Sequence, residues 1–329
     1  MMELSTMKAG FSSLEVAESL LKHWEHDEGT LRFWRASSNF VCAFERKGIR
    51  FFLRFSFEDE NTLEQIKEEL DFMEYLKKNS FPCVSPILSL NNNFIETVET
   101  SDGGYFGVVF SAANGTQLDE EEDLLDSQLE QWGRSLATLH NLSMNYEIKN
   151  KKRKSWQDTL LFIKNVLNHH PLENEAKKEY HTISHWLHSL LVSKNTYGLI
   201  HYDFQLDNLF YDAKDVTFEI IDFDDSMYHW FAQDVVTALT DELESEQPAS
   251  KKRINAFLKG YRTKKELSEE DIDLFPMFLR FSKLYQFARL LRSMESSTGE
   301  DDPAWLGNLR GKLISKVDEI RKCFRESEI

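Results

Sequence analysis

The chain has 329 residues, 41% hydrophobic and 29% charged, a balance that suits a soluble globular protein with a large core and two domains or lobes. Its formal charge of −17 repels nucleic acid and anionic lipid, and no apolar run approaches the roughly 18 residues that a membrane span needs. Three cysteines, Cys42, Cys83 and Cys323, stand far apart without metal-ligand spacing, so reduced thiols and a cytoplasmic location are expected.

Residues 13–25 carry apolar groups at helical spacing. The N-terminal stretch has acidic residues and no continuous apolar segment, which argues against a secretory signal. From Leu31 the aromatic and β-branched stretch LRFWRASSNFVCAFERKGIRFFLRFSF, broken at ASSN and RKG, predicts three antiparallel strands. Alternation along Ile49–Phe57 puts Phe51, Leu53, Phe55 and Phe57 on one face, and Arg50, Phe52, Arg54 and Ser56 on the other. A helix is predicted over 61–78, with Leu63, Ile66, Leu70, Met73 and Leu76 on one face. FPCVSPIL breaks it with two prolines, and NNNFIETVETSDGGYFGVVFSA predicts two more strands turning at Asp102-Gly103-Gly104. These elements describe a small five-stranded lobe over residues 1–113.

ANGTQLDEEEDLLD reads as the connector to a second lobe, residues 114–329. That lobe is expected to be mostly helical, with helices over 127–140, 156–168, 173–192, 232–243, 250–261, 269–294 and 304–325. The basic run KNKKRKSW is isolated in an acidic chain and reads as a solvated linker. His140 lies on the apolar face of its helix and reads as a satisfied core histidine. The aromatics of FPMFLRFSKLYQFARLL read as core, with some available to line a pocket. The fold class expected is α+β, two lobes, one a small antiparallel sheet and the other helical.

Two segments interrupt the helices and carry the chemistry. GLIHYDFQLDNLFYD holds His201, Asp203 and Asn208 in the pattern H-x-D-x-x-x-x-N. That is the spacing of a kinase catalytic loop, in which the Asp faces the acceptor hydroxyl and the Asn binds a metal ion. Three fixed positions are weak alone, but VTFEIIDFDDS follows, and its apolar strand ends at Asp222 after a turn at DAKD. A carboxylate there completes a hard-oxygen donor set with Asn208, suited to Mg²⁺ and substrate phosphates. Arg54 is the strand cation expected to hold phosphates, Phe52 shares its face and could cover an adenine, and Glu69 is preferred over Glu68 as its helix partner.

The motifs LIHYDFQLDNLFYD, IIDFDDSMYHWFAQDVVTAL, LRFS before EELDFMEYL, and GRSLATLH resemble the aminoglycoside phosphotransferase and choline kinase family, small-molecule kinases with a protein-kinase-like fold. The resemblance covers roughly residues 30–245. It implies Mg²⁺- and ATP-dependent transfer to the hydroxyl of a small molecule, with Asp203 at the hydroxyl and Asn208 and Asp222 on the metal. It further implies Arg54, paired to Glu69, on the nucleotide phosphates, and the hinge Phe110 to Ala113, including Ser111, on adenine. Asp234 would brace the catalytic loop. His201 is taken as a catalytic-loop residue, as a brace or in acid–base work. ASSN stands where a glycine-rich phosphate loop is usual, so Ser37, Ser38 and Asn39 are expected to supply hydroxyls or amides. Arg54 stands where many members have Lys, and Gln205 where many have His. The adjoining Asp224 and Asp225 are open to contact with a cationic substrate or to a capping role. No Ala-Pro-Glu segment follows IDFD, which disfavours the alternative of a protein Ser/Thr kinase; a non-catalytic ligand-binding relative is the other alternative. A monomer or homodimer is expected, without nucleic acid or membrane partners.

Overall fold

The structure, a computed structural model, describes every residue except 12–13, 102, 119–123, 148–152, 296–301 and 327–329. Asp102 of the expected turn, the acidic run 119–123 and residues 149–152 of the basic run therefore lie outside the described residues.

Helices α1 (Leu4–Phe11) and α2 (Glu15–Leu21) precede the sheet. The aromatic stretch folds as β1 (Arg32–Ala36), β2 (Phe40–Arg46) and β3 (Ile49–Phe57). Lys47 and Gly48 join β2 to β3 with φ of 54° and 71°, the two left-handed residues that a tight hairpin needs to match strand twist. Asp27 holds that turn by accepting from both backbone N–H groups, at 3.0 and 2.9 Å. Helix α3 (Leu63–Lys78) starts at a reciprocal capping box between Thr62 and Gln65. Strands β4 (Pro86–Ile87), β5 (Ile95–Thr100) and β6 (Gly103–Ser111) complete the lobe. Among the described residues this is one six-stranded antiparallel sheet in the order β1-β2-β3-β6, with β4 and β5 both along the outer edge of β6. The sixth strand, β4, is two residues long and has no periodicity to read; pairing with Val109 and Phe110 makes it a strand. One sheet face buries Phe40, Phe44, Leu53, Phe55 and Tyr105 with Leu20, Leu21 and Trp24.

The helical lobe contains β7 (Thr116–Gln117), α4 (Asp126–Ser143), α5 (Trp156–His169), α6 (Asn174–Ser189), β8 (Tyr197–Ile200), β9 (Leu209–Asp212), β10 (Thr217–Ile220) and β11 (Met227–Trp230). It ends with α7 (Phe231–Ala238), α8 (Thr240–Glu244), α9 (Pro248–Arg262), α10 (Glu269–Asp273), α11 (Phe275–Met294) and α12 (Ala304–Glu326). The hairpin β9–β10 is widened by β7, and β8 pairs with β11. The single helix expected over 269–294 is two, broken at Leu274, because Pro276 in the first turn of α11 has no N–H to continue a helix from before it. Helices α4 and α9 touch backbone to backbone. A Cβ at Gly133 would lie 2.0 Å from the Phe257 carbonyl oxygen, so the crossing requires glycine there.

The lobes are stitched beside the cleft. The Ile220 N–H donates to the Pro82 carbonyl at 3.1 Å, and the Val84 N–H donates to the Ile220 carbonyl at 3.1 Å. Among the described residues no helix is long and apolar enough to cross a membrane. The architecture is the expected two-lobed, protein-kinase-like α+β fold.

Candidate active site

Hairpin register brings together the two residues expected to donate to a metal. Leu209 faces Ile220 at the open end of β9–β10, and the Ile221 N–H donates to the Asn208 carbonyl at 3.0 Å. Asn208 and Asp222 therefore leave the hairpin at the same end. Asp222 sits at φ 63°, ψ 63°, a left-handed conformation that Asp tolerates better than most side chains. The Asn208 amide donates to the Asp203 carbonyl at 3.0 Å and to the Asp203 carboxylate at 2.8 Å. With its N–H₂ so engaged, the buried Asn208 Oδ1 has no partner among the described residues. Asp222 is pushed up to about 6, by burial first and then by Asp224, against the pull of Arg54 and Arg35. An orphaned amide oxygen and a carboxylate on one cavity are hard donors that fit a divalent cation. Among the described residues no cluster of three or more His, Cys, Asp or Glu forms a metal cage. Two protein donors suit an ion that also takes phosphates and water.

The catalytic loop is held from below. Buried Asp234 accepts from the His201 N–H at 2.9 Å, the Tyr202 N–H at 2.7 Å and, on Oδ2, the His140 ring at 3.0 Å. The other His140 nitrogen meets the Tyr261 hydroxyl at 2.7 Å, so His140 is a satisfied core histidine. These bonds hold Tyr202 at φ 69°, a strained conformation for a bulky residue that persists because its surroundings over-determine it. Trp132 adds an indole N–H bond to the Phe204 carbonyl, at 3.0 Å. His201 is fully buried, and its ring nitrogens meet the Ile221 carbonyl at 3.0 Å and the Asp203 N–H at 3.3 Å. Both ring nitrogens are thus engaged by backbone groups, which fits the loop-brace role among those expected of it. Asp203 is pushed up to about 7, by burial first and then by Asp225, Asp207 and Asp222.

On the sheet side, the Arg54 fork donates both arms to Glu69 at 2.8 Å. Arg54 also lies 3.9 Å from Asp222 and 5.0 Å from the centre of the Phe110 ring. Glu69 is fully buried. Glu68 instead accepts from the Tyr228 hydroxyl at 2.9 Å, so the two glutamates divide as the helix face predicts. Phe52, Ser111 and Ala113 line a cavity of about 160 Å³ with Trp34, Val84 and Phe210. Ser111 closes the hinge on Ser85, donating its N–H to that carbonyl at 3.0 Å. Ser37, Ser38 and Asn39 line an adjoining cavity with Asp203, Asn208 and Asp222.

Three features were not anticipated. Arg35, on β1, donates to Asp222 at 2.6 Å. Arg153, in the run expected to be a solvated linker, is buried and bonds the Phe223, Asp224 and Ser226 carbonyls, tying down the turn after Asp222. A buried guanidinium needs acceptors, and that turn supplies them. Helix α11 keeps Phe278, Phe281 and Phe287 in the core, yet presents Ser282, Lys283, Gln286 and Arg289 to a cavity of about 270 Å³ that also holds Asp203 and Gln205. Spacing of one, four and seven residues puts these four side chains on one face, a signal hidden among the aromatics. Asp225 faces the protein's own Arg289 at 2.8 Å, with 27% of its side chain exposed. Arg289 also donates to the Ser38 hydroxyl at 3.1 Å, linking α11 to the loop after β1.

Known proteins share this fold. An amicoumacin kinase of Bacillus subtilis (strain 168) is 23% identical over 317 residues, covering 92% of this chain and 93% of the relative. A solved amicoumacin kinase in complex with AMP-PNP, Ca²⁺ and Ami superposes with a TM-score of 0.78 at 21% identity, over 96% of this chain and 95% of that one. A microcompartment-associated aminopropanol kinase gives 0.68 at 21% identity, over 96% and 98%. At these identities the solved structures establish the fold. The family model described as phosphotransferase enzyme family matches residues 31–268. The chain belongs to that phosphotransferase family and is an ATP-dependent kinase of a small-molecule hydroxyl.

Proposed function

We propose that this kinase uses Mg²⁺, that residues 1–113 hold the nucleotide and 114–329 the acceptor, and that the acceptor is an amino alcohol or aminosugar. The observation that carries the site assignment is the convergence of Asp203, Asn208 and Asp222 with Ser37, Ser38 and Asn39 on one cavity. Asn208 and Asp222 would hold the metal ion, which neutralises phosphate charge during transfer. Arg54, fixed by Glu69, presents charge to the nucleotide phosphates, and Phe52, Ser111 and Ala113 wall the adenine. Asp203 orients the acceptor hydroxyl and takes up its proton as the new O–P bond forms and the bond to ADP breaks. Asp234 and His201 keep the loop rigid, so catalysis is mainly positioning and electrostatics.

An amine-bearing acceptor is supported by the cavity below Asp203. Its cations are already matched by protein carboxylates, Arg289 by Asp225 at 2.8 Å and Lys283 by Glu244 at 3.2 Å. Asp203, raised by burial and neighbouring acids, gains most from a cationic ligand. The activities for which the relatives are named, amicoumacin kinase and aminopropanol kinase, point the same way. The ATP requirement supports a cytoplasmic location. The test is ADP release from ATP with amino alcohols, aminosugars and neutral sugars, each with Mg²⁺, Ca²⁺ or chelator. Amine-bearing acceptors should turn over, fastest with Mg²⁺. Faster turnover of neutral sugars would overturn the acceptor class. No turnover, together with no thermal shift on adding Mg–ATP, would overturn the site assignment.

A further inference from the structure

Strand β1 does not pair regularly with β2. Phe33 faces Cys42, but Arg35 faces Val41, so Trp34 is an extra residue. A bulge of this kind re-aims the side chains beside it and is common next to active sites. Its effect here is that two consecutive residues, Trp34 and Arg35, both line the nucleotide cavity, which a regular strand with alternating faces cannot do. Val41, opposite Arg35, is itself opposite Arg54. Two guanidinium groups therefore stand on one face of the sheet, two strands apart, above Asp222.

They are not equivalent. The Arg54 fork is consumed by Glu69, with Asp222 at 3.9 Å. Arg35 spends its contact on Asp222 itself, at 2.6 Å on Oδ2, and its side chain keeps 42% of its surface exposed. A carboxylate oxygen gripped by a guanidinium at that distance is not free to ligate a divalent cation, because the two positive groups would share one small anion. A metal ion arriving at Asp222 competes with Arg35 for Oδ2, the other oxygen lying 3.9 Å from Arg54. A displaced guanidinium remains on β1, directly before Ser37, Ser38 and Asn39, in the cavity where the triphosphate has to lie. That loop has none of the glycines whose backbone N–H groups commonly cradle phosphates. A planar five-donor fork suits phosphate oxygens there.

We propose that Arg35 contacts the nucleotide phosphates during transfer, and that before nucleotide arrives it occupies Asp222 in place of the metal ion. The proposal rests on the nucleotide site assigned above. It makes Arg35 a competitor of the metal in the free enzyme and a partner of the metal in the loaded one. A residue that merely ties the lobes together would influence both states in the same direction.

The test uses Mn²⁺ as the metal probe and AMP-PNP as the nucleotide, with the full-length chain and calorimetric titration. Arg35→Ala should bind Mn²⁺ alone about threefold to tenfold more tightly than the wild type, and Mg–AMP-PNP about tenfold more weakly. Its kcat should fall about a hundredfold or more, as for the loss of one preorganised donor to the transition state. Arg35→Lys keeps the charge and loses the fork, so it should restore wild-type Mn²⁺ affinity while leaving nucleotide affinity reduced. It also serves as the second variant should Arg35→Ala fold poorly. Equal or weaker Mn²⁺ binding in Arg35→Ala, or unchanged nucleotide binding, would overturn the proposal. A wild type that binds Mg–AMP-PNP normally while the variants miss this pattern refutes the role of Arg35 alone. A wild type that binds neither probe refutes the nucleotide site itself.

Discussion

The two walls of the cleft are built on opposite plans. The helical wall fixes its loop by buried hydrogen bonds, with Asp234 accepting three donors and His201 fully enclosed. The sheet wall presents side chains to the cleft, among them Arg35 with 42% of its side-chain surface exposed. One wall stores strain, at Tyr202 and Asp222, and supports it with bonds that water cannot reach. The other keeps its charges adjustable. The contrast teaches that buried hydrogen bonds are concentrated around the loop of Asp203, while on the sheet side Arg35 stays exposed beside the buried Arg54–Glu69 pair.

Substitutions can break this contrast or sharpen it. The largest effect belongs to Asp203→Asn, which should lower turnover about a thousandfold or more. The thermal midpoint should hold or rise, because the carboxyl it replaces is held up at about 7 and ionises at a cost in the folded state. A large loss of stability would mean that Asp203 belongs to the scaffold. Next is Asp234→Ala, which leaves the His201 and Tyr202 N–H groups and the His140 ring without their shared acceptor. Urea unfolding should show a loss of about 3 kcal/mol or more. A loss below about 1 kcal/mol, at the level of a single surface bond, would undo the idea of an over-determined wall.

Acid should attack the same wall. Burial lowers His140 and His201 and pushes His229 down to about 3. A histidine depressed in the folded state leaves the unfolded chain with more bound protons below its ordinary value of about 6.5. Stability contributed by each is therefore present above that value and lost as pH falls, for His229 across the window from about 6.5 down to 3, at up to about 1.4 kcal/mol per pH unit. Unfolding midpoints between pH 7 and 5 should fall in the wild type and fall less steeply in His229→Gln; equal slopes would remove His229 from the account. The smallest effect falls on the sheet wall. Glu69→Gln frees the Arg54 fork and should raise KM for ATP about fivefold to tenfold, with kcat less affected. A kcat collapse equal to that of Asp203→Asn would show that the sheet wall is as exacting as the helical one.

The sequence made legible whatever is encoded by spacing along one element. Asp203, Asn208 and Asp222 could be read because a hairpin converts their sequence positions into one corner, and Arg54 because strand parity fixes its face. His140 was readable as core from its helix face. What escaped depends on pairing between distant segments. The bulge at Trp34 exists in the register between β1 and β2 and leaves no local mark, so the aim of Arg35 was invisible. Arg153 sits in a basic run that reads as solvated until the carbonyls of residues 223–226 are placed over it. Strands β4, β7 and β11 are two to four residues long and become strands by tertiary pairing. The polar face of α11 was masked by aromatics that point the other way.

The pair of bonds between Ile220 and the 82–84 segment has a mechanical consequence. Ile220 lies two residues before Asp222, while residues 82–84 lead directly into β4, which pairs beside the hinge strand β6. Asp222 is thus anchored to the upper lobe as well as to the lower one. Any hinge motion that parted Asp222 from Arg54 works against both amide–carbonyl bonds, and α11 is tied to the same lobe only through side chains, Arg289 to Ser38 at 3.1 Å and Arg292 to Glu60 at 2.6 Å among the described bonds. Clamshell opening in this protein should therefore part Arg289 from Ser38 and Arg292 from Glu60 before it disturbs the backbone that seats Asp222.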